Sequence, residues 1–141
     1  MEITQISVFA ENRPGRLAEL TEKIASLGID VRALSLADST DYGVLRLIVA
    51  EPEKALASMK AVGLMATATP VLGVAVADTP GGFAQVVGVL ASANISVEYA
   101  YAFLTPQTGK AGVILRVKDN TAAAAALQLA KIELLRQEQI F

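Results

Sequence analysis

A short stretch of residues that could bind a small ligand occurs twice in the chain. The first copy is Glu11-Asn12-Arg13-Pro14-Gly15, and the second is Ala77-Asp78-Thr79-Pro80-Gly81, 66 residues later. Each copy follows an apolar, strand-like run and precedes an apolar-periodic helix. Glycine lets a ligand approach the backbone closely, and a helix N-terminus offers free N–H groups with partial positive charge. Together with the Asn12 or Asp78 acceptor, this mixture suits a carboxylate and an ammonium on one molecule, as in a free amino acid.

The same stretch also has a purely structural interpretation. Asn or Asp followed by x-Pro-Gly is an ordinary way to begin a helix, with Asn12 or Arg13 as the cap and Pro14 in the first turn. Both interpretations predict helices that open at Pro14 and Pro80. Duplication would copy a helix cap as readily as a binding site, so the residues leave both interpretations open.

The repeat extends well beyond the turn, because Leu17 and Ile24 match Phe83 and Leu90 at the same offset. One supersecondary unit therefore occurs twice. Each copy reads β-α-β-β-α-β, the order of the ferredoxin-like unit. We predict an α+β fold of two such repeats with their antiparallel sheets packed together. The predicted domains are residues 1–69 and 70–141, joined only by Thr69-Pro70.

Local signals predict several element boundaries. Gly28 and Asn94 each follow the first helix of a repeat and are expected in the left-handed conformation. Residues 64–69 are expected to form a weak strand that ends the first repeat, and residues 71–77 a strand that begins the second. Other expected features are a turn over residues 38–41, a cap at Asp119-Asn120-Thr121 for an Ala-rich helix to about Lys131, and a final strand over residues 133–140.

Composition limits the classes of function. The 141 residues include no Cys and no His, which excludes thiolate chemistry and removes the commonest general base. We therefore expect neither an enzyme, nor a cofactor, nor a metal site. Asp30, Asp38 and Asp41 could pair in principle, but Asp38 and Asp41 lie in a predicted turn, where Asp is ordinary. The formal net charge is −2 with scattered Lys and Arg, so no nucleic-acid partner is expected. Without a long apolar run or a signal-like N-terminus, we expect no membrane association and a cytoplasmic location.

Apolar residues are nevertheless abundant, at 53% of the chain. Tyr99, Tyr101 and Phe103 alternate along one predicted strand and share a face, as aromatic residues do on the open sheets of RNA-binding domains. The acidic balance of the chain favours a core or interface role for these rings. The excess of apolar surface is best covered by a subunit interface, and we predict a homodimer.

The pattern of strand, [Asn/Asp]-x-Pro-Gly-x-[Leu/Phe], helix, Gly or Asn, Ile and strand resembles the ACT domain, and the resemblance spans both halves. Residues 11–15 are similar to the serine-binding regulatory domain of bacterial phosphoglycerate dehydrogenase. ACT domains are βαββαβ modules that pair and bind amino acids where two copies meet. The resemblance implies three ligand contacts in each copy: Asn12, Gly15 and Asp30 in the first, and Asp78, Gly81 and Ser96 in the second.

The resemblance also implies a role in regulation. It predicts a module that binds an amino acid and acts on a regulated enzyme or another protein, without a catalytic domain of its own. The best-known serine sites carry Asn at the third position, where this chain has Asp30 and Ser96, so the two sites need not bind the same ligand. Asp30 is equally consistent with a solvated carboxylate at a strand edge. The alternative function is an oligomerisation or protein-interaction module with vestigial pockets.

Overall fold

A computed structural model describes residues 2–38 and 41–141. It contains four helices and seven strands in this described part, and the predicted α+β class and order of elements are confirmed. A short 3₁₀-helix follows the last strand. In chain order the elements are β1 (Ile3–Glu11), α1 (Arg16–Ser26), β2 (Val31–Asp38), β3 (Tyr42–Val49), α2 (Pro52–Ala61), β4 (Ala66–Ala77), α3 (Gly82–Ser92), β5 (Val97–Phe103), β6 (Lys110–Val117), α4 (Asn120–Leu129), β7 (Glu133–Leu135) and the 3₁₀-helix (Gln137–Ile140).

The described chain forms two compact units, residues 4–69 and residues 2–3 with 70–141. In the first unit β3 lies between β1 and β2, antiparallel to both. In the second unit β4 pairs with β6 and β7, and β6 pairs with β5, again all antiparallel. The predicted domains 1–69 and 70–141 stay a prediction.

Strand register shows which residues of the two units are equivalent. In the first unit Leu34 and Leu36 of β2 lie opposite Leu47 and Leu45 of β3. In the second unit Ala100 and Ala102 of β5 lie opposite Leu115 and Val113 of β6. The offset between equivalent residues is therefore 66 up to the hairpin and 68 after it, because the second hairpin loop is longer.

Each unit buries its own apolar core between helices and sheet. Leu20 and Ile24 of α1, one helical turn apart, pack on the sheet of the first unit with α2 residue Met59. Val86 and Leu90 of α3 take the same places in the second unit. This apolar stripe explains why each helix packs on its sheet.

The predicted break between the fourth and fifth strands was wrong. β4 is one strand of 12 residues that continues through Thr69 and Pro70. The fixed φ of proline suits extended backbone, and proline is excluded only where its missing N–H would have to donate to a sheet ladder. The pair Thr69-Pro70 therefore lies within the strand and does not separate two strands.

The end of the chain also differs from the prediction. The expected strand over residues 133–140 is a strand only to Leu135. The N–H of Arg136 donates to Oε1 of Gln139 at 2.7 Å, and the N–H of Gln139 donates to the Arg136 carbonyl at 3.0 Å. These reciprocal bonds curl the backbone into the 3₁₀-helix.

Several local predictions are confirmed. Gly28 and Asn94 have φ of 72° and 60°, in the left-handed region. Asp119 caps α4 by accepting a hydrogen bond from the Ala122 N–H at 3.0 Å, although the helix ends at Leu129. The predicted turn over residues 38–41 includes Ser39 and Thr40, which lie outside the described residues. None of the helices in the described ranges has the length and apolarity needed to cross a membrane.

Candidate ligand-binding turns and cavity

Both repeated stretches form the same tight turn between a strand and a helix. The Arg16 N–H donates to the Arg13 carbonyl at 3.2 Å, and the Gly82 N–H donates to the Thr79 carbonyl at 3.1 Å. Gly15 has φ 83° and ψ −11°, and Gly81 has φ 87° and ψ −4°. A bond from residue i to i+3, Pro at i+1 and a glycine of positive φ at i+2 define a type II β-turn.

The prediction that Pro14 and Pro80 open the helices was therefore wrong. The helices begin two residues later, at Arg16 and Gly82, after the N-cap glycines Gly15 and Gly81. Neither glycine can contribute a side-chain cap, and no side-chain hydrogen bond caps either helix. Pro-Gly is required here by the turn, because proline supplies the fixed φ of position i+1 and glycine the positive φ of position i+2.

The first turn is covered by a network of charged side chains. Arg13 donates two hydrogen bonds to the Glu19 carboxylate, at 3.2 and 3.0 Å, and Arg16 donates to the same carboxylate at 3.1 Å. Arg16 also forms an ion pair with Glu11. The hydrogen bonds from Arg13 and then Arg16 lower the pKa of Glu19 below its ordinary value. The pKa of Glu11 is also lowered, first by a hydrogen bond from its own backbone and then by Arg16.

The second turn carries no such network. The residues equivalent to Glu11, Arg13, Arg16 and Glu19 have no charge; they are Ala77, Thr79, Gly82 and Gln85. A Cβ on buried Gly82 would clash with the backbone carbonyl of Ala77, so α3 begins in direct contact with the end of β4. Small uncharged residues therefore leave the second turn open.

A cavity of about 380 Å³ lies beside the second turn. Asp78 and Thr79 of the turn and Phe83 of α3 form one side of the cavity. Ala100 and Ala102 of β5 are also part of the lining, which is mostly apolar; the other lining residues are Val76, Ala77, Tyr101, Ala111 and Val113. Asp78 has the only ionisable carboxylate in this lining, and its side chain is exposed.

The predicted contacts at the start of β2 and β5 lie far from the turns of their own units. Gly15 precedes α1 and Asp30 follows it; this helix of 11 residues places the two about 16 Å apart. Gly81 and Ser96 likewise lie at opposite ends of α3. Asp30 instead borders a smaller cavity of about 130 Å³ with Glu51 and Lys54, and it forms an ion pair with Arg32 at 3.2 Å. The structure thus brings Asn12 close to Gly15 and Asp78 close to Gly81, but does not bring Asp30 or Ser96 to the turn of its own unit.

Sequence reasoning missed the residues that make the cavity. Phe83 was identified only as the match of Leu17, and no role was assigned to Ala100 or Ala102. The available signal was the change from Leu34 and Leu36 to alanine at the matching positions of the second repeat. Within the described ranges, no three acidic side chains are grouped to hold a metal ion.

A family model described as an ACT domain pair matches residues 1–141. The chain belongs to this family. The resemblance to ACT domains is confirmed over the whole chain. The similarity of residues 11–15 to a serine-binding domain stays a prediction.

Several solved structures share the fold. Protein BT0572 from Bacteroides thetaiotaomicron is 34% identical, with a TM-score of 0.91, over 99% of this chain and 96% of that chain. The regulatory subunit of aspartate kinase from Thermus thermophilus, in a ligand-free form, is 20% identical with a TM-score of 0.64 over 90% and 91% of the two chains. The corresponding subunit from Thermus flavus is 20% identical with a TM-score of 0.62, over 93% and 94%. No curated protein matches the chain significantly.

Proposed function

We propose that this ACT protein is a regulatory module that binds a free amino acid where two ACT modules meet, and that it acts on another protein without catalysing a reaction. The observation that carries this function is the cavity beside the second turn, in which the Asp78 carboxylate borders a mostly apolar space. Asp78 suits the ammonium group of an amino acid. The N–H groups of Phe83 and Ala84, which lie between the Gly82 N–H of the turn and the first helical bond from Gln85 to Gly81, suit its carboxylate.

A second copy of the chain completes the proposed site. The separation of about 16 Å along α1 is too long for one amino acid to contact both Gly15 and Asp30 of one unit. An amino acid held at Asn12 and Gly15 can meet Asp30 only from another copy, and one held at Asp78 and Gly81 can meet Ser96 only in the same way. The proposed function therefore includes a homodimer, in which each turn meets the third contact of its own repeat from the second copy.

Linkage between binding and assembly gives the regulatory mechanism. A ligand that contacts two modules stabilises the arrangement in which both contacts are made, and it shifts the population toward that arrangement. The two aspartate kinase subunits that share the fold are named as regulatory subunits of an enzyme. By analogy, the partner of this chain is an enzyme whose activity follows the concentration of the amino acid.

A thermal-shift screen against the twenty free amino acids at millimolar concentration tests this function, with calorimetry to confirm each hit. A ligand at 100 times its dissociation constant stabilises the folded state by about 2.7 kcal/mol. For a chain of this size we expect the melting temperature to rise by several degrees. The rise should be confined to one amino acid or a chemically related group.

The alternative is an oligomerisation module, and one observation favours it. Leu34 and Leu36 of β2 and Leu17 of α1 are 60%, 50% and 43% exposed, which leaves apolar surface beside the first turn. A flat screen on a well-folded sample would support this alternative and contradict amino-acid sensing.

A further inference from the structure

The two repeats differ at the strand positions that face the turn. Ala100 and Ala102 line the cavity of the second unit, and register makes Leu34 and Leu36 their equivalents in the first. Both pairs lie opposite buried core residues of the neighbouring strand, so both side-chain pairs point to the helix-covered side of their sheets. The first unit thus places two leucines where the second has two methyl groups.

One of these leucines, Leu36, lies where the second unit leaves space. The Cδ1 atom of Leu36 lies 3.6 Å from the position that a Cβ on Gly43 would take. The residue equivalent to Gly43 is Ala111, which lines the cavity of the second unit. In the first unit Leu36 therefore covers a part of the sheet whose equivalent in the second unit, beside Asp78, stays accessible.

The charged side chains also favour the second turn over the first as the binding site. In the first unit Glu19 binds Arg13 and Arg16, and Glu11 pairs with Arg16, so the charges at the turn satisfy one another. In the second unit the Asp78 carboxylate has no hydrogen-bond or ion-pair partner among the described residues, and its backbone N–H donates to the Gly109 carbonyl at 3.0 Å. A carboxylate at the edge of an apolar cavity is suited to a cationic group on a ligand.

We infer that the amino acid binds in the second repeat and not in the first, and that it has an apolar side chain. This inference rests on the proposed function and decides between its two turns. The ammonium group pairs with Asp78, and the side chain lies against Ala100 and Ala102. The cavity of about 380 Å³ accommodates a branched aliphatic or aromatic side chain.

The test exchanges the distinguishing residues between the repeats. The variant Ala100→Leu/Ala102→Leu gives the second unit the side chains of the first, at two exposed positions where larger residues are tolerated. The matched control, Leu34→Ala/Leu36→Ala, makes the opposite change in the first unit. Thermal shift and calorimetry use L-alanine, L-valine, L-leucine, L-isoleucine and L-phenylalanine, with L-aspartate and L-lysine as polar probes. Light scattering checks that both variants keep the mass of the wild type.

In the wild type and the control, we expect apolar amino acids to raise the melting temperature, with equal affinity within twofold. In Ala100→Leu/Ala102→Leu, affinity should fall at least 30-fold. Retained binding in this variant, or lost binding in a control of unchanged mass, would overturn the choice of the second repeat while leaving amino-acid sensing intact. A wild type that responds only to the polar probes would overturn the ligand class. If the wild type responds to no amino acid, the proposed function itself fails.

A second variant covers the case in which the double variant does not fold. Asp78→Asn removes the charge and keeps the size of an exposed side chain. The probes are L-valine, isobutylamine, which lacks the carboxylate, and isovalerate, which lacks the amine. We expect Asp78→Asn to weaken L-valine and isobutylamine at least tenfold and to leave isovalerate unchanged or tighter. Equal affinity of L-valine for Asp78→Asn and the wild type would show that Asp78 does not bind the amine.

Discussion

Gly15 and Gly81 are required by backbone conformation. Their φ values of 83° and 87° belong to position i+2 of a type II turn, and nothing lies within 4 Å of the place where a Cβ would be. Space alone would thus permit a side chain, and conformation excludes it. Gly88 differs, because it lies in the interior of α3 without a positive φ and with equally open surroundings.

The same substitution should therefore have opposite effects at these two kinds of glycine. Gly15→Ala places a Cβ in the left-handed region and should lower the free energy of unfolding by about 1–2 kcal/mol. Gly88→Ala lowers the backbone entropy of the unfolded chain and should raise the free energy of unfolding by about 0.5–1 kcal/mol. Urea denaturation of both variants measures the difference. A loss of stability in Gly88→Ala would contradict an unstrained helical position.

The ion-pair network at the first turn should make the stability of the fold depend on pH. The pKa of Glu19 is lowered in the folded state, so its contribution is fully present above the ordinary glutamate pKa of about 4.3 and is lost as pH falls through the folded-state pKa. Glu19→Gln should have a lower melting temperature than the wild type at pH 7, and the difference should vanish near pH 2.

The control for this measurement is Glu22→Gln, a change on the same helix at an exposed carboxylate that has no ion pair among the described residues. Its melting temperature should match that of the wild type at every pH. Since the Glu19 pairs are exposed, 0.5 M salt should reduce the effect of Glu19→Gln. An effect that persists at pH 2 would show that Glu19 stabilises the turn by packing and not by charge.

At the scale of the elements, the helices differ in how they begin. The helices α1 and α3 begin after glycines in type II turns, whereas α4 begins at the side-chain cap Asp119. The helix α2 begins at Pro52 after Glu51, which makes no side-chain cap hydrogen bond. Among the α-helices of the described residues, only α4 therefore has a capping side chain, and its Ala-rich sequence offers few other side-chain interactions.

Truncation of the N-cap side chains of α4 and α2 should have different effects on stability. Asp119→Ala leaves the Ala122 N–H without its acceptor and should cost about 1 kcal/mol of stability. Glu51→Ala removes only a long, exposed contact to Lys54 at 3.9 Å and should change stability by less than about 0.5 kcal/mol. Chemical denaturation of the two variants in parallel gives both values. Equal losses would mean that Asp119 acts through something other than its cap.

At the scale of the whole molecule, the strands at the sheet edges point to self-association. Among the described strands, β2 of the first unit and β5 of the second each pair with one neighbour only. Open strand edges are usually covered in native proteins. The homodimer predicted from composition would cover such surface.

Size-exclusion chromatography with light scattering should give twice the chain mass of 14.7 kDa at micromolar concentration. Dilution into the nanomolar range should shift the mass toward one chain. An amino acid that raises the melting temperature should also oppose this dissociation, because linkage requires a ligand shared by two chains to favour the dimer. A single-chain mass at high micromolar concentration, with or without the ligand, would contradict the dimer.

Local sequence information was sufficient for much of the fold. The 66-residue repeat, the order of the elements, the left-handed Gly28 and Asn94 and the Asp119 cap were all predicted, because each depends on residues close together in the chain. The starts of α1 and α3 were misplaced by two residues. Pro-Gly serves both helix N-termini and type II turns, and the prediction took the first when the turn geometry required the second.

The sequence by itself determined two ACT repeats with a tight turn in each, and it pointed to Asn12, Gly15, Asp78 and Gly81 as neighbours in those turns. Only the tertiary structure decided that Asp30 and Ser96 lie at the far ends of α1 and α3, and that an open cavity lies beside Asp78. The physical reason is distance along the chain. Turns are formed by residues within a few positions, whereas the cavity depends on the position of β5, which brings Ala100 and Ala102 to a turn much earlier in the chain.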